Sequence, residues 1–315
     1  LQGNISSTPS KGNIQMFDLM PSYREKCLSF IQPQTIKPFK IVVDAGNGMG
    51  GKTWPGIQSA LPCKTIPLFF ELDGTFPNHV PNPLIPENLE LLQKEVLAQK
   101  ADMGIAFDGD ADRCVLVDEK GIAVSGSEIT ALVAQYLLST PKNRGKTILY
   151  DLRSSKIVPE LINANGGKPF ITRVGHSHIK KIMSDENALF GGELSGHYYF
   201  RENYNADSGM LAALIMLQLI SNGGKKLSEI VSPLRKKWFH SGEINFTVKE
   251  KEKKLNELKT IYGSQGKVME LDGLSVDLGE WWFNVRASNT EPYLRLNVEA
   301  NNAALLKEKK NELQQ

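Results

Sequence analysis

Short apolar runs alternate along this chain with stretches in which apolar residues return every three or four positions. The first is a helical rhythm over residues 23–31, followed by the Pro-containing connection QPQTIKPFK and the strand-like run KIVVDAG at 40–46. A short helical piece at 57–61, a second strand KTIPLFFEL and the Pro-rich loop FPNHVPNPLIP come next. Leu89, Leu92 and Val96 then share one face of an amphipathic helix. The strand ADMGIAF runs into the acidic loop DGDADR, and CVLVDE is a fourth strand. Strand and helix in alternation predict an α/β layer around a mostly parallel sheet.

The same style resumes near residue 121. It predicts a helix over 128–138, the turn PKNRGK, the strand TILYDL, and a helix over 155–163 closed by Gly166 and Gly167. KPFITRV leads into GHSHIKKIM, ALFGGELSGHYYF reads as one strand, and an apolar helix covers 208–220. After KKWFHSG the texture changes. INFTV, KVMEL, LSVDL, WFNVRAS and EPYLRLNVEA are strand-like pieces between a Lys/Glu-rich helix at 249–262 and a charged C-terminal helix. The fold class expected is therefore α/β, with two consecutive mixed-sheet α/β domains at 20–122 and 123–237 and a smaller α+β domain at 238–315. No internal sequence repeat is evident. Residues 1–19 begin with Leu1 and the polar stretch LQGNISSTPSKGN, and we expect them to be a linker remnant of a longer chain.

Composition narrows the classes. Lys plus Arg number 37 against 35 Asp plus Glu, a net charge of +2, which argues against a nucleic-acid-coating surface. Cys27, Cys63 and Cys114 are too few and too scattered for a disulfide framework or a zinc cluster, and suit reduced thiols in a cytoplasmic protein. The apolar run at 210–217 is too short to span a bilayer, so no membrane partner is expected. No basic segment leads into an apolar core at the N-terminus, so secretion is not expected. Nothing in the sequence fixes an oligomeric state.

Chemistry concentrates in a few loops. Asp108, Asp110 and Asp112 stand at i, i+2 and i+4 beyond an apolar strand, and an extended backbone would turn all three carboxylates to one side. Their mutual repulsion is relieved by a hard divalent cation such as Mg²⁺. A calcium loop fits less well, because no Glu occupies the twelfth position and the flanks are strands. Arg113 would face a phosphate or hold a carboxylate. Gly46, Gly48 and Gly51 in DAGNGMGG satisfy a dinucleotide fingerprint, with Glu71 about 20 residues on. Pro55 and Gly56 oppose the helix that fingerprint requires, and the aspartates have no task in hydride transfer. Glu193, Ser195 and His197 alternate in GGELSGH, so an extended segment would present an acceptor, a hydroxyl and an imidazole together, a set that suits sugar hydroxyls and proton movement. His176 lies at a strand-to-helix junction and Arg153 follows the strand TILYDL, both at strand ends where open α/β sheets bind ligands. In RASNTEP, Arg286, Ser288, Asn289 and Thr290 could cradle a phosphate, and could equally form a polar hairpin turn.

DGDADR, GGELSGH and RASNTEP in this order and spacing resemble the phosphohexomutase superfamily, most closely bacterial phosphomannomutase/phosphoglucomutase. VDAGNGMGG, ELDGTFPNHVPNP, GHSHIK and SGEIN add to the likeness, which runs from about residue 20 to the end. It implies two α/β domains of phosphohexomutase type followed by a phosphate-binding domain, with Mg²⁺ on Asp108, Asp110 and Asp112. Arg113 and Arg153 resemble active-site basic residues, and His176 and His197 proton-transfer or orienting groups. Glu193 and Ser195 resemble sugar-hydroxyl contacts, and Arg286, Ser288, Asn289 and Thr290 the phosphate loop. The implied reaction interconverts mannose 6-phosphate and mannose 1-phosphate through a phosphoserine and a hexose 1,6-bisphosphate. Glucose phosphates are the alternative substrates, and a non-catalytic phosphosugar- and Mg²⁺-binding fragment the alternative class. The superfamily's serine motif, of the form T-A-S-H-N-P, does not occur in these 315 residues, and the serines of ISSTPS lack its context. We therefore expect the last three domains of a longer enzyme, inactive alone. Leu194 replaces the commoner Met of the sugar loop, a conservative change.

Overall fold

The run at 40–46 and the strand before the acidic loop become the centre of the first sheet in the computed structural model, which describes residues 12–288 and 293–314. The first unit contains α1 (Met20–Leu28), β1 (Lys40–Asp44), α2 (Gly50–Gln58), β2 (Lys64–Leu68), α3 (Pro86–Ala98), β3 (Met103–Phe107), β4 (Cys114–Asp118) and β5 (Ala123–Val124). Its sheet order is β2-β1-β3-β4-β5, with β1 parallel to β2 and β3, and β4 antiparallel to β3 and β5. Ile41, Val42, Val43, Ile105 and Ala106 are buried on both faces, as strands covered by helices on either side must be.

The second unit repeats this plan with different residues. It contains α4 (Gly126–Ser139), β6 (Thr147–Asp151), α5 (Ile157–Ala164), β7 (Lys168–Thr172), α6 (His176–Asp185), β8 (Phe190–Gly192), β9 (Tyr198–Phe200), β10 (Ala206–Asp207), α7 (Gly209–Gly223) and α8 (Leu227–Arg235). The sheet order is β7-β6-β8-β9-β10, strand for strand the order of the first, with the same parallel and antiparallel pairs. The helix that follows each sheet is exchanged. α4, after β5, packs on α5 and β8 of the second unit, whereas α7, after β10, packs on α1 and β4 of the first. α7 is apolar all round because it lies between the units, with every residue from Met210 to Leu217 buried. One continuous apolar core consequently runs through both sheets.

The C-terminal unit contains β11 (Phe239–His240), β12 (Ile244–Thr247), α9 (Lys251–Tyr262), β13 (Lys267–Met269), β14 (Leu274–Asp277), β15 (Trp281–Ala287), β16 (Tyr293–Ala300) and α10 (Ala303–Leu313). Its antiparallel sheet runs β11-β16-β15-β14-β13, with β12 also on β16, and it has its own core around Phe283 and Val298. The Lys156 backbone N–H ties it to the second unit by donating to the Glu299 carboxylate at 2.9 Å.

Two expectations change, and the structure adds a helix that was not expected. The helical piece expected at 57–61 is α2, which starts directly after the glycine loop and keeps Pro55 inside it. Pro55 removes a single N–H from a nine-residue helix, and the helix continues for less than one turn beyond it. ALFGGELSGHYYF is a hairpin, β8 turning into β9, instead of one strand. α8, whose Pro233 hides it in the sequence, packs Arg235 onto Asp118 and Glu128 at 3.0 Å each. All three cysteines are buried free thiols.

Candidate active site

The acidic loop joins β3 to β4, and GELSGH joins β8 to β9, so the two loops occupy the same place in the two copies of the fold. They meet. Arg113 and His197 form an antiparallel bridge, and the Cys114 N–H donates to the Gly196 carbonyl at 3.2 Å. The exchanged helices seat on this junction through their first residues. A Cβ on Gly209 of α7 would lie 2.4 Å from the Arg113 carbonyl carbon, and one on Gly126 of α4 would lie 2.5 Å from the Leu194 carbonyl oxygen. Both helices begin after a capping serine, Ser125 accepting from the Glu128 N–H and Ser208 from the Leu211 N–H, each at 3.2 Å. The glycine loop has a similar task. Met49 N–H donates to the Gly109 carbonyl at 2.9 Å, and a Cβ on Gly48 would sit 2.4 Å from that oxygen. These glycines permit a close approach of backbones, which replaces the dinucleotide reading.

One carboxylate oxygen each from Asp108, Asp110 and Asp112 lies within 4.8 Å of the others. They converge because the loop coils through bends, with Ala111 at φ +64°, and not by alternation along an extended strand as the spacing suggested. Burial, and then the charges of Asp108 and Asp110, push the Asp112 carboxyl up to about 7. Its Oδ1 is buried with no hydrogen-bond partner. Crowded carboxylates with an orphaned oxygen fit a hard divalent cation. Arg113 holds the loop: its Nε donates to Asp108 at 2.7 Å, its N–H to the same carboxylate at 3.1 Å, and Nη1 to Asn82 at 3.3 Å.

The sugar-type loop also departs from the extended picture. The Glu193 N–H donates to the His197 carbonyl and the Gly196 N–H to the Glu193 carbonyl, with Gly196 at φ +84°, so 193–197 is a tight turn. Glu193 therefore points inward and is 2% exposed, accepting from the Tyr199 hydroxyl at 2.6 Å and the Gly175 N–H at 3.2 Å. Burial raises its pKa. Ser195 Oγ lies 3.0 Å from His197 Nδ1, and His197 Nε2 lies 3.6 Å from Asp112 Oδ1. Burial lowers the His197 pKa. His176 is the exposed first residue of α6, and its charge is among those that lower the His197 pKa.

Arg153 is buried just beyond β6, with Nη2 2.8 Å from Asp151, 3.8 Å from Glu193, and Nη1 3.9 Å from Glu243. Burial opposes its charge, but Asp151, Glu193 and Glu243 outweigh burial and raise its pKa. Glu243 in turn reaches Arg286 at 3.1 Å and Arg295 at 3.4 Å, two arginines directly opposite on β15 and β16. Ser288 is buried, and its N–H closes the hairpin on the Tyr293 carbonyl at 2.9 Å. Asn289 and Thr290 lie outside the described residues.

Five of the expected residues, joined by Glu243, form one seam of close charges: Asp112 to His197, His197 to Glu193 at 3.7 Å, then Arg153, Glu243 and Arg286, while the exposed His176 stands outside it. Sequence reasoning missed Glu243, although SGEIN was part of the resemblance, and missed Asp151 and Tyr199, which no local pattern marks.

A twice-repeated α/β plan whose equivalent loops meet, with a guanidinium-bearing sheet joined to the seam, defines a protein class built to gather carboxylates, imidazoles and arginines from three units. Comparison with known proteins places that class. Residues 21–121 match the description "Phosphoglucomutase/phosphomannomutase, alpha/beta/alpha domain II", residues 125–237 domain III, and residues 243–315 the C-terminal domain. The chain is 42% identical over 294 residues to "Phosphohexose mutases" of Xanthomonas campestris pv. campestris, covering 93% of this chain and 65% of that protein. It is 40% identical over 311 residues to "Phosphomannomutase" of Vibrio cholerae, covering 96% and 67%. A crystal structure of a phosphoglucomutase/phosphomannomutase family protein from Burkholderia thailandensis superposes with a TM-score of 0.85 at 30% identity, covering 95% of this chain and 64% of that one. The chain spans about 65% of the length of the first of these relatives. It belongs to the phosphoglucomutase/phosphomannomutase family.

Proposed function

We propose that these residues form the sugar-phosphate side of a phosphohexomutase site that interconverts mannose 6-phosphate and mannose 1-phosphate through a phosphoserine and a bound hexose 1,6-bisphosphate. The observation that carries the reading is the junction of the two equivalent loops, where Asp112 and His197 stand 3.6 Å apart. Asp108, Asp110 and Asp112 would hold Mg²⁺, which when bound offsets the charge of a transferring phosphoryl group. Arg113 keeps Asp108 aimed into that cluster. His197, its Nδ1 held by Ser195 and its pKa lowered, is the neutral base that takes a proton from a sugar hydroxyl and returns it to the leaving oxygen. His176 assists from the rim. Ser195 orients ring hydroxyls that both substrate orientations share, and Glu193, buried behind it, holds the turn through the Tyr199 hydroxyl and the Gly175 N–H. Arg286 with Ser288, Asn289 and Thr290 holds the phosphate that is not reacting, and Arg153 transmits the position of that sheet to Glu193 through Glu243.

The Burkholderia protein carries both sugar names, so we extend the proposal to glucose phosphates. These residues contain no T-A-S-H-N-P segment, and we propose that alone they bind substrate in the cytoplasm without turnover. The test is calorimetric titration with mannose 1-phosphate and glucose 1-phosphate in Mg²⁺. Arg286→Ala should weaken binding by about 1.5–3 kcal/mol, the loss of a charge-assisted contact. Unchanged binding would move the phosphate site elsewhere, and robust isomerisation by the chain alone would contradict the role given to the serine.

A further inference from the structure

Asp207 ends β10 beside the junction, and the site described above does not use it. Its side chain is 6% exposed; Oδ1 pairs with Lys180 at 2.8 Å, while Oδ2 is buried without a partner. Asp112 Oδ1 is likewise buried and unpartnered. Between them stands His197, and one donor atom from each of the three side chains lies within 4.8 Å of the others. Ser195 Oγ fixes the imidazole at Nδ1 and leaves Nε2 3.6 Å from Asp112. A metal-bound histidine is oriented by an outer contact on its far ring nitrogen, and here Ser195 Oγ at 3.0 Å and the Glu193 carboxylate at 3.7 Å stand on that side.

We propose that Asp112, His197 and Asp207 form a second cation site, selective for a borderline transition-metal ion such as Zn²⁺ or Co²⁺ and mutually exclusive with Mg²⁺ on the aspartate loop. The selectivity follows from donor type. Imidazole nitrogen suits Zn²⁺ and Co²⁺, whereas Asp108, Asp110 and Asp112 offer oxygen alone and suit Mg²⁺. Exclusion follows from charge and from sharing. Asp112 belongs to both clusters, and two divalent ions that close to each other would repel strongly. An ion in the second site takes His197 out of proton transfer, so it inhibits. That consequence rests on the function proposed for His197; the site itself does not.

The experiment is titration of the chain with Co²⁺, read by its visible d–d absorption, in the wild type and in His197→Gln, Asp207→Asn and Asp110→Asn. The proposal predicts that His197→Gln and Asp207→Asn weaken Co²⁺ by at least about tenfold, that Asp110→Asn retains it, and that added Mg²⁺ raises the apparent Kd in the wild type. Loss of Co²⁺ in Asp110→Asn with retention in His197→Gln would overturn it, leaving only the aspartate loop. Because Asp207→Asn removes a buried charge and can unfold the chain, imidazole ¹⁵N spectra of the wild type with Zn²⁺ provide a second readout. A shift of His197 Nε2 supports the site, and an unmoved His197 at saturating Zn²⁺ overturns it. Phosphosugar binding in Mg²⁺ is measured separately, so the two readings fail separately.

Discussion

Asp112 shows how far the local sequence reaches. Burial, which the sequence does not reveal, raises its pKa to about 7 together with its two neighbours at i−2 and i−4, which are visible in DGDADR. Relieving that crowding is the reason to expect a cation there. Asp110→Asn removes one of three ligand charges while touching neither Arg113 nor His197, and should lower Mg²⁺ affinity at least about tenfold; isothermal titration checks it, and unchanged affinity would break the assignment. The residue types were legible here, but their geometry was not. An extended strand was inferred for both loops, whereas Ala111 and Gly196 adopt positive φ and curl each loop on itself. The curl is what turns Glu193 inward onto Tyr199 and Gly175, so a side chain read as facing sugar is 2% exposed. Glu243 and Asp207 were illegible for another reason. Each gains meaning from partners far along the chain, Arg286 43 positions from Glu243 and Asp112 from another unit.

Helices and strands were predicted well where one face or one run was strongly apolar, as in α3 and α7. What the pattern could not express was exchange. α7 looks like an ordinary helix closing its own block, yet it begins by seating on the first block's acidic loop through Gly209, while α4, which opens the second block, seats through Gly126 on that block's GELSGH loop. The signature, a serine cap followed by glycine at 125–126 and again at 208–209, is two residues long and lies below what an eye searching for repeats detects. Gly209→Ala tests the seating. The added methyl would meet Arg113 and Cys114 backbone within 2.8 Å, which cannot yield as a side chain would. It should cost about 1–3 kcal/mol, as overpacking does, exceeding any gain in helix propensity, and should weaken Mg²⁺ and phosphosugar binding together. Denaturant unfolding with parallel titrations measures this; a stable variant that binds normally would show that α7 does not set the junction.

Across the molecule, the third sheet meets the second unit through polar contacts such as Lys156 to Glu299, and among the described residues its apolar cluster is separate. His240, at that seam beside Trp282, accepts a hydrogen bond at Nδ1 from the Gly242 N–H at 3.0 Å and has Nε2 buried. Burial pushes its pKa down to about 4. In the unfolded chain an imidazole titrates near 6.5. Stability from keeping His240 neutral is therefore fully present above pH 6.5 and is lost as pH falls towards 4, by at most about 3 kcal/mol. His240→Gln should flatten that part of the melting-temperature profile, and an unchanged slope would remove His240 as its source. At this level the sequence was most informative: the order of acidic, sugar-type and phosphate-type loops suffices to place the chain in its family, because each motif sits at a strand end where the shared fold must deliver it. The account stands on those loops forming one cation- and phosphosugar-binding seam. Anomalous diffraction from a crystal soaked with Mn²⁺ and mannose 1-phosphate examines this directly. The account predicts a metal peak among the carboxylates of Asp108, Asp110 and Asp112, with the sugar against Ser195 and its phosphate on Arg286. Splayed aspartates without a peak, or a sugar bound away from the Arg113–His197 bridge, would contradict it.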